Sequence, residues 1–142
     1  MIIPDINLLL YAHITTFPKH AAARAWWEAA MNGNQEVGIV APVAFGFIRI
    51  GTNPRVFAPP MSVDVAIGHV ESWLARPRVR MLAPGSRHID LAFGLIRALG
   101  AAANLTTDAQ IAAFAIENQA ELHSNDTDFA RFRGLHWVNP LS

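Results

Sequence analysis

Cysteine is missing from all 142 residues. That excludes disulfides, thiolate zinc centres and thiol nucleophiles together. Lysine is nearly missing too: Lys19 stands alone against ten arginines. Arginine suits bidentate phosphate contacts, and a GC-rich coding sequence produces the same bias with no functional meaning. Neither sign of charge is in excess, since eleven acids offset eleven bases. Neutrality argues against broad, non-specific binding of nucleic acid but leaves room for a local basic surface. Long apolar runs are also lacking. The longest, Val37 to Ile50, is interrupted by Pro42 and carries Arg49 near its end, short of the roughly 20 residues a spanning helix requires. Before Lys19 there is no basic residue, and Asp5 stands near the start, so the N-terminus does not read as a signal peptide. A cytoplasmic protein without a membrane segment is expected.

What is present is apolar side chain, 52% of the residues, enough for one buried core. The composition shows no long break, so residues 1–142 are expected to form one domain. The only biased piece, Ala101-Ala102-Ala103, is too short to count as low complexity. Met1 to Pro4 reads as a buried strand and Ile6 to His13 as a helical segment. A clear helix runs from Pro18 to Met31, closed by Asn32-Gly33. Glu36 to Ala41 is rich in strand formers, and Pro42 to Ile50 looks helical. Ser62 is an N-cap for a helix over Val63 to Leu74. Val79 to Leu82 is a strand, and His88 to Leu99 a helix stopped by Gly100. Thr107 to Ala120 is the strongest helix, with Thr107 and Gln110 at the spacing of a capping box. Glu121 to Ser124, Thr127 to Phe132 and Leu135 to Val138 read as strand, short helix and strand. Short strands alternating with helices predict an α/β fold around a parallel sheet.

On that map, Asp5 follows the first strand, Asp108 lies in the first turn of a helix, and Asp126 follows the strand ending at Ser124. In a parallel sheet the carboxyl ends of the strands share one edge. Asp5 and Asp126 therefore belong together, and Asp108 joins them if its helix starts there. Each aspartate alone has a plain explanation as a cap or a partner of the helix dipole. Clustered, they require more. Two carboxylates ~4 Å apart repel by about 4 kcal/mol at an effective dielectric of about 20, so a cluster needs a cation or a shifted pKa. Hard oxygen ligands without cysteine select Mg²⁺ or Mn²⁺, and phosphodiester hydrolysis is the obvious use of such an ion. Asp126 and Asp128 flank one residue, as in a calcium loop, but Arg131 occupies the position of the loop glycine and excludes that reading.

Four stretches carry a resemblance: "PDINLLLYAH" at 4–13, "FIRIGTNPRVF" at 47–57, "NLTTDAQIAAFAIENQAEL" at 104–122 and "SNDTDFARFRGLHWVNPL" at 124–141. In this order they resemble the PIN-domain ribonucleases, specifically the VapC toxins of bacterial toxin–antitoxin pairs. The resemblance implies a three-layer sandwich with its central parallel sheet flanked by helices, Mg²⁺-dependent endonuclease cleavage of RNA (Mn²⁺ being a possible substitute), a cognate antitoxin and a homodimer. It maps the family's first, third and fourth acids onto Asp5, Asp108 and Asp126, a further acid onto Asp128, and a small hydroxyl residue onto Ser124. The family's second acid, a glutamate three residues before the arginine matching Arg49, falls on Gly46. Three outcomes stay open: water fills that place, Asp128 moves in, or the domain is a catalytically weakened binding module acting mainly through its antitoxin.

Other residues keep two readings. Asn7 either orients Asp5 or a ligand water, or merely starts a helix. Arg49 either grips a phosphate or pairs with Asp126 or Asp128, the pairing being preferred. Glu117, nine residues after Asp108, falls on another face of the helix and is expected at the surface or an interface. His13, His20, His69, His88, His123 and His136 show no metal-ligand spacing and are expected to pack or face solvent. Trp26 and Trp27 point about 100° apart on a helix, one toward the core and the other to its border. Arg76, Arg78 and Arg80 alternate along an extended stretch, as a candidate RNA contact or a solvated edge.

Overall fold

A computed structural model describes residues 1–100 and 105–142 of the chain. The alanine run at 101–103 lies outside the described residues. Five strands, β1 (Ile2–Pro4), β2 (Val37–Ile39), β3 (Val79–Met81), β4 (Glu121–His123) and β5 (His136–Val138), form one sheet in the order β3-β2-β1-β4-β5. Every pair is parallel. Around the sheet lie α1 (Ile6–His13), α2 (His20–Asn32), α3 (Ala41–Gly51), α4 (Val63–Leu74), α5 (His88–Leu99) and α6 (Thr106–Glu117). A short 3-10 helix spans Thr127–Arg131. This is the expected three-layer α/β architecture.

The strands are only three residues long, yet Ile3, Val37, Ile39 and Leu122 are sealed from solvent. Burial on both faces, not hydrogen-bond count, makes such short strands hold. Among helices, α6 is buried on nearly every side through Ala109, Ile111, Ala112, Ala113, Phe114 and Ala115. Its alanines let neighbouring backbones approach closely, and α5 packs along it. On the other side of the core, Phe47 of α3, Trp73 of α4 and Trp27 of α2 pack edge to face.

Several element ends differ from expectation. Helix α2 begins at His20, after a turn at 18–19, not at Pro18. Helix α6 starts at Thr106, so Thr107 is already inside it and the capping box with Gln110 does not form. Buried Leu105 occupies the cap position and makes no side-chain cap bond. Core anchoring of Leu105 outweighs the roughly 1 kcal/mol a hydroxyl cap contributes. At the other end α6 stops at Glu117, where Asn118 caps it and Gln119 turns with φ 52°.

Candidate active site

The site follows from strand register. Pro4 of β1 lies opposite His123 of β4, so the next residues, Asp5 and Ser124, leave adjacent parallel strands at the same edge. The Asp5 N–H donates to the His123 carbonyl at 2.9 Å, carrying the pairing one step beyond β1. Asp5 then caps α1, one oxygen accepting the Ile6 N–H at 2.7 Å. Its other oxygen accepts the Ser124 hydroxyl, also at 2.7 Å. The carboxyl is 5% exposed. Burial pushes its pKa from 3.8 up to about 6, with the Asp126 charge adding to the rise and the Ser124 and Ile6 bonds opposing it.

Ser124 is the hub of this edge. Fully buried, it donates to Asp5 and accepts the Asp126 N–H at 3.0 Å. Asn7 reaches it at 3.5 Å and accepts the Asn125 N–H at the same distance, so Asn7 steadies the loop that carries the acids. Asp126 in turn accepts the Asp128 N–H at 2.9 Å and caps the 3-10 helix. Three residues unremarked in the sequence complete the frame. Asn125 accepts from Lys19 at 3.1 Å and Asn139 at 3.3 Å, and Trp137 donates to the Ser124 carbonyl at 3.0 Å. An asparagine just past a strand end was the available signal; Asn139 and Trp137 act only through tertiary contact. Removing the hub as Ser124→Ala is expected to cost about 1–2 kcal/mol in urea denaturation, because the Asp5 carboxylate loses a buried donor. Unchanged stability would show that the hydroxyl is not holding Asp5.

Asp108, in the first turn of α6, completes the cluster. Carboxylate oxygens of Asp108, Asp126 and Asp128 lie within 4.8 Å of one another. Desolvation, then the charges of Asp5, Asp126 and Asp128, push the Asp108 pKa from 3.8 up to about 7. Asp5 is thus close enough to act on Asp108 by its charge, while both its oxygens already accept protein donors. No ion pair among the described residues involves any of the four; those present join Arg24–Glu28, Arg80–Glu36 and Glu121 with His123 and His136. Three hard oxygen donors converging without a protein cation fit a divalent ion such as Mg²⁺.

Arg49 departs from its preferred reading: it pairs with neither Asp126 nor Asp128. It lines a groove of about 670 Å³ together with Phe45, Gly46, Thr107 and Gln110. Gly46 is buried, and a Cβ there would overlap the Ile6 Cδ1. The place where the resemblance expects a glutamate is therefore closed by a methyl group. Glu117 is a structural anchor, accepting the N–H groups of Gly85 at 2.8 Å and Arg87 at 2.9 Å ahead of α5. Trp27 enters the core, and Trp26 borders it, donating to His123 at 3.0 Å. Arg76 donates to the Met31 carbonyl and Asn32, Arg78 to the Asn34 carbonyl, and Arg80 pairs with Glu36. These arginines tie β3 to the segment before β2, at the sheet edge opposite the acids. Arg76 and Arg78 lie in the bend and turn before β3 and only Arg80 is in the strand, so the expected extended stretch does not form.

The sequence matches the PIN domain family over residues 2–135. It is 55% identical over 141 residues to ribonuclease VapC33 of Mycobacterium tuberculosis, covering 99% of both chains. The chain belongs to the PIN-domain family, in its VapC branch. Ribonuclease VapC37 of the same organism is 37% identical, with 99% of this VapC chain and 97% of the relative covered. Among solved structures, VapBC2 from Rickettsia felis, bound to a DNA fragment from its promoter, superposes with a TM-score of 0.70 at 18% identity, over 98% of each chain. VapC20 of M. tuberculosis, a sarcin-ricin loop cleaving toxin, gives 0.66 at 15%, over 95% of this chain and 98% of that one. At those identities the structures speak for the fold. No helix among the described residues is long and apolar enough to cross a membrane.

Proposed function

We propose that this VapC-family chain is a metal-dependent endoribonuclease, the toxin of a toxin–antitoxin pair, acting in the cytoplasm as a single PIN domain. The observation that supports it most is the convergence of Asp108, Asp126 and Asp128 with no cation from the protein, beside the buried Asp5. Asp5, Asp108 and Asp126, with Asp128, would hold Mg²⁺ or Mn²⁺ directly or through water, and Asp5 also fixes Ser124. The ion, when bound, would supply Lewis acidity toward a phosphodiester and its attacking water. The chain's own work is positional. Ser124 holds Asp5 and the Asp126 backbone in one arrangement, and Asp126 orders Asp128. Without an ion the crowded charge raises the Asp108 pKa to about 7, so a bound cation would displace that proton. A cognate antitoxin and a second copy of the chain are the expected protein partners, the similar structures including VapBC-1 and a toxin–antitoxin complex.

Purified chain is expected to cut structured RNA with Mg²⁺, to stop on chelation, and to leave single-stranded DNA and a small phosphomonoester intact. Cleavage of RNA that persists with chelator would remove the metal from the reading. Gly46 supports a second reading, a weakened nuclease working mainly by binding its antitoxin. Calorimetric titration with Mn²⁺ separates the two. Heat saturating at millimolar metal or below is expected for the nuclease; none would favour the binding module.

A further inference from the structure

The groove beside the carboxylates has a composition the acids do not explain. Phe45 is 69% exposed although its neighbours Val43, Ala44 and Phe47 on α3 are buried. Arg49 stands four residues further along α3, on the same helical face as Phe45, and it too is exposed. Across the groove, Thr107 and Gln110 come from the first turns of α6 and flank Asp108 in sequence. Gly46 also lines the groove, and the space a side chain would take there is filled by the Ile6 methyl. One wall is thus an apolar face of Phe45, Pro42 and Ile48 with a guanidinium beside it, and the other offers a hydroxyl and an amide. At about 670 Å³ the groove is in the size range of small-ligand sites.

We propose that this groove is a nucleotide subsite: Phe45 stacks on an unpaired base of the RNA, Arg49 holds the adjoining phosphate, and Thr107 and Gln110 face the base edge. The assignment rests on the endoribonuclease reading and names how that site engages its substrate. Proteins hold single-stranded nucleic acid by stacking bases on exposed aromatic rings beside arginines. The lining is largely apolar, and what favours a phosphate-bearing ligand over a protein partner is the Arg49 guanidinium on the wall. Arg49 is without an ion-pair partner among the described residues, so its charge is available to a phosphate. The acids repel a polyanion, and an arginine at the mouth offsets that repulsion for the phosphate next to the one being cut.

The test measures anisotropy of a fluorescein-labelled single-stranded oligoribonucleotide of about ten residues, a length matched to a single-strand site. Asp108→Asn serves as a non-cleaving background, with circular dichroism confirming folding. Phe45→Ala is expected to weaken binding about ten-fold, and Phe45→Trp to retain it. Arg49→Gln is expected to weaken binding and lower the slope of log affinity against log salt by about one. In the otherwise unmutated enzyme, Phe45→Ala raises KM and leaves kcat near its original value. Active enzyme whose RNA affinity and KM ignore Phe45→Ala would overturn the subsite while leaving the nuclease standing. So would a Phe45→Ala variant that alters sedimentation or antitoxin capture but binds RNA normally, since the ring would then serve a protein interface. Unmutated chain that neither binds nor cuts RNA overturns the underlying reading and the subsite with it.

Discussion

Asp108→Asn is expected to abolish RNA cleavage and, at the same time, to make the metal-free protein harder to unfold. Both effects have one origin. The Asp108 pKa rises from 3.8 to about 7 because burial and three neighbouring carboxylates penalise its charge. The folded chain therefore binds more protons than the unfolded chain between those values. The corresponding stability is fully present below pH 3.8 and is lost as pH rises through about 7. At pH 8 the whole penalty is in force. The side chain is only partly buried, so solvent screening reduces the penalty to about 1–2 kcal/mol. Asparagine keeps the shape and removes the charge. Urea denaturation at pH 8 without metal should show the variant more stable by that amount, the gap closing as pH falls toward 4. Mg²⁺ should raise the melting temperature of the original chain more than that of the variant. Cleavage should fall by on the order of a hundred-fold or more, since even residues behind a metal ligand cost up to that much. Equal cleavage rates would take Asp108 out of the chemistry, and a variant less stable at pH 8 would refute the electrostatic cost.

The same balance explains why Asp126 resists a single label. Its carboxylate is a helix cap, accepting the Asp128 N–H, and also a member of the acidic cluster. A cap uses one lone pair of one oxygen, and a carboxylate has about four acceptor positions. Structural and ligand roles therefore coexist on one side chain. Asp5 is the more committed case, with each oxygen accepting one donor, and by the same count about two acceptor positions remain on it.

Asp5, Asp108 and Asp126 could be gathered from sequence because parallel strands present their carboxyl ends on one edge, and strand positions are legible in runs such as Met1 to Pro4 and Glu121 to Ser124. Register could not be read. Whether Asp5 meets Ser124 or Asn125 depends on Pro4 standing opposite His123, a choice set by packing of the whole sheet. Helix ends were similarly hidden. Thr107 and Gln110 have the pattern of a cap, but the burial of Leu105 moved the start of α6 upstream, and the two side chains face the groove instead. Arg49 was expected to neutralise an acid. Its place four residues after Phe45, along the groove, is a matter of helix orientation that spacing alone does not fix. Nothing in the sequence announced that Ile6 would close the space at Gly46.

A second large effect is expected at His13, at the far end of the helix that Asp5 caps. Its Nδ1 lies 2.8 Å from the Leu9 carbonyl, and its Nε2 lies 3.1 Å from the Trp73 indole nitrogen. A carbonyl only accepts and an indole N–H only donates. The proton is therefore on Nδ1, and Nε2 must stay bare. Phe47 and His69 stack edge-on against the same ring. Burial pushes the His13 pKa from 6.5 down to about 4; the Leu9 bond opposes the shift, and the charges of His69, His20 and Arg24 add to it. Here the unfolded chain binds the extra proton. Stability is intact above pH 6.5 and is lost as pH falls toward about 4, a loss of about 3 kcal/mol. Asp5 and Asp108 act in the opposite sense over the same range, so the effect must be read as a difference between two chains that share them. His13→Gln keeps a neutral group that donates and accepts. Denaturation from pH 7 to pH 4 should show the original chain losing about 3 kcal/mol relative to this variant. A gap that stays constant across that range would mean that His13 takes up its proton inside the fold, and that the Trp73 indole is not holding it neutral.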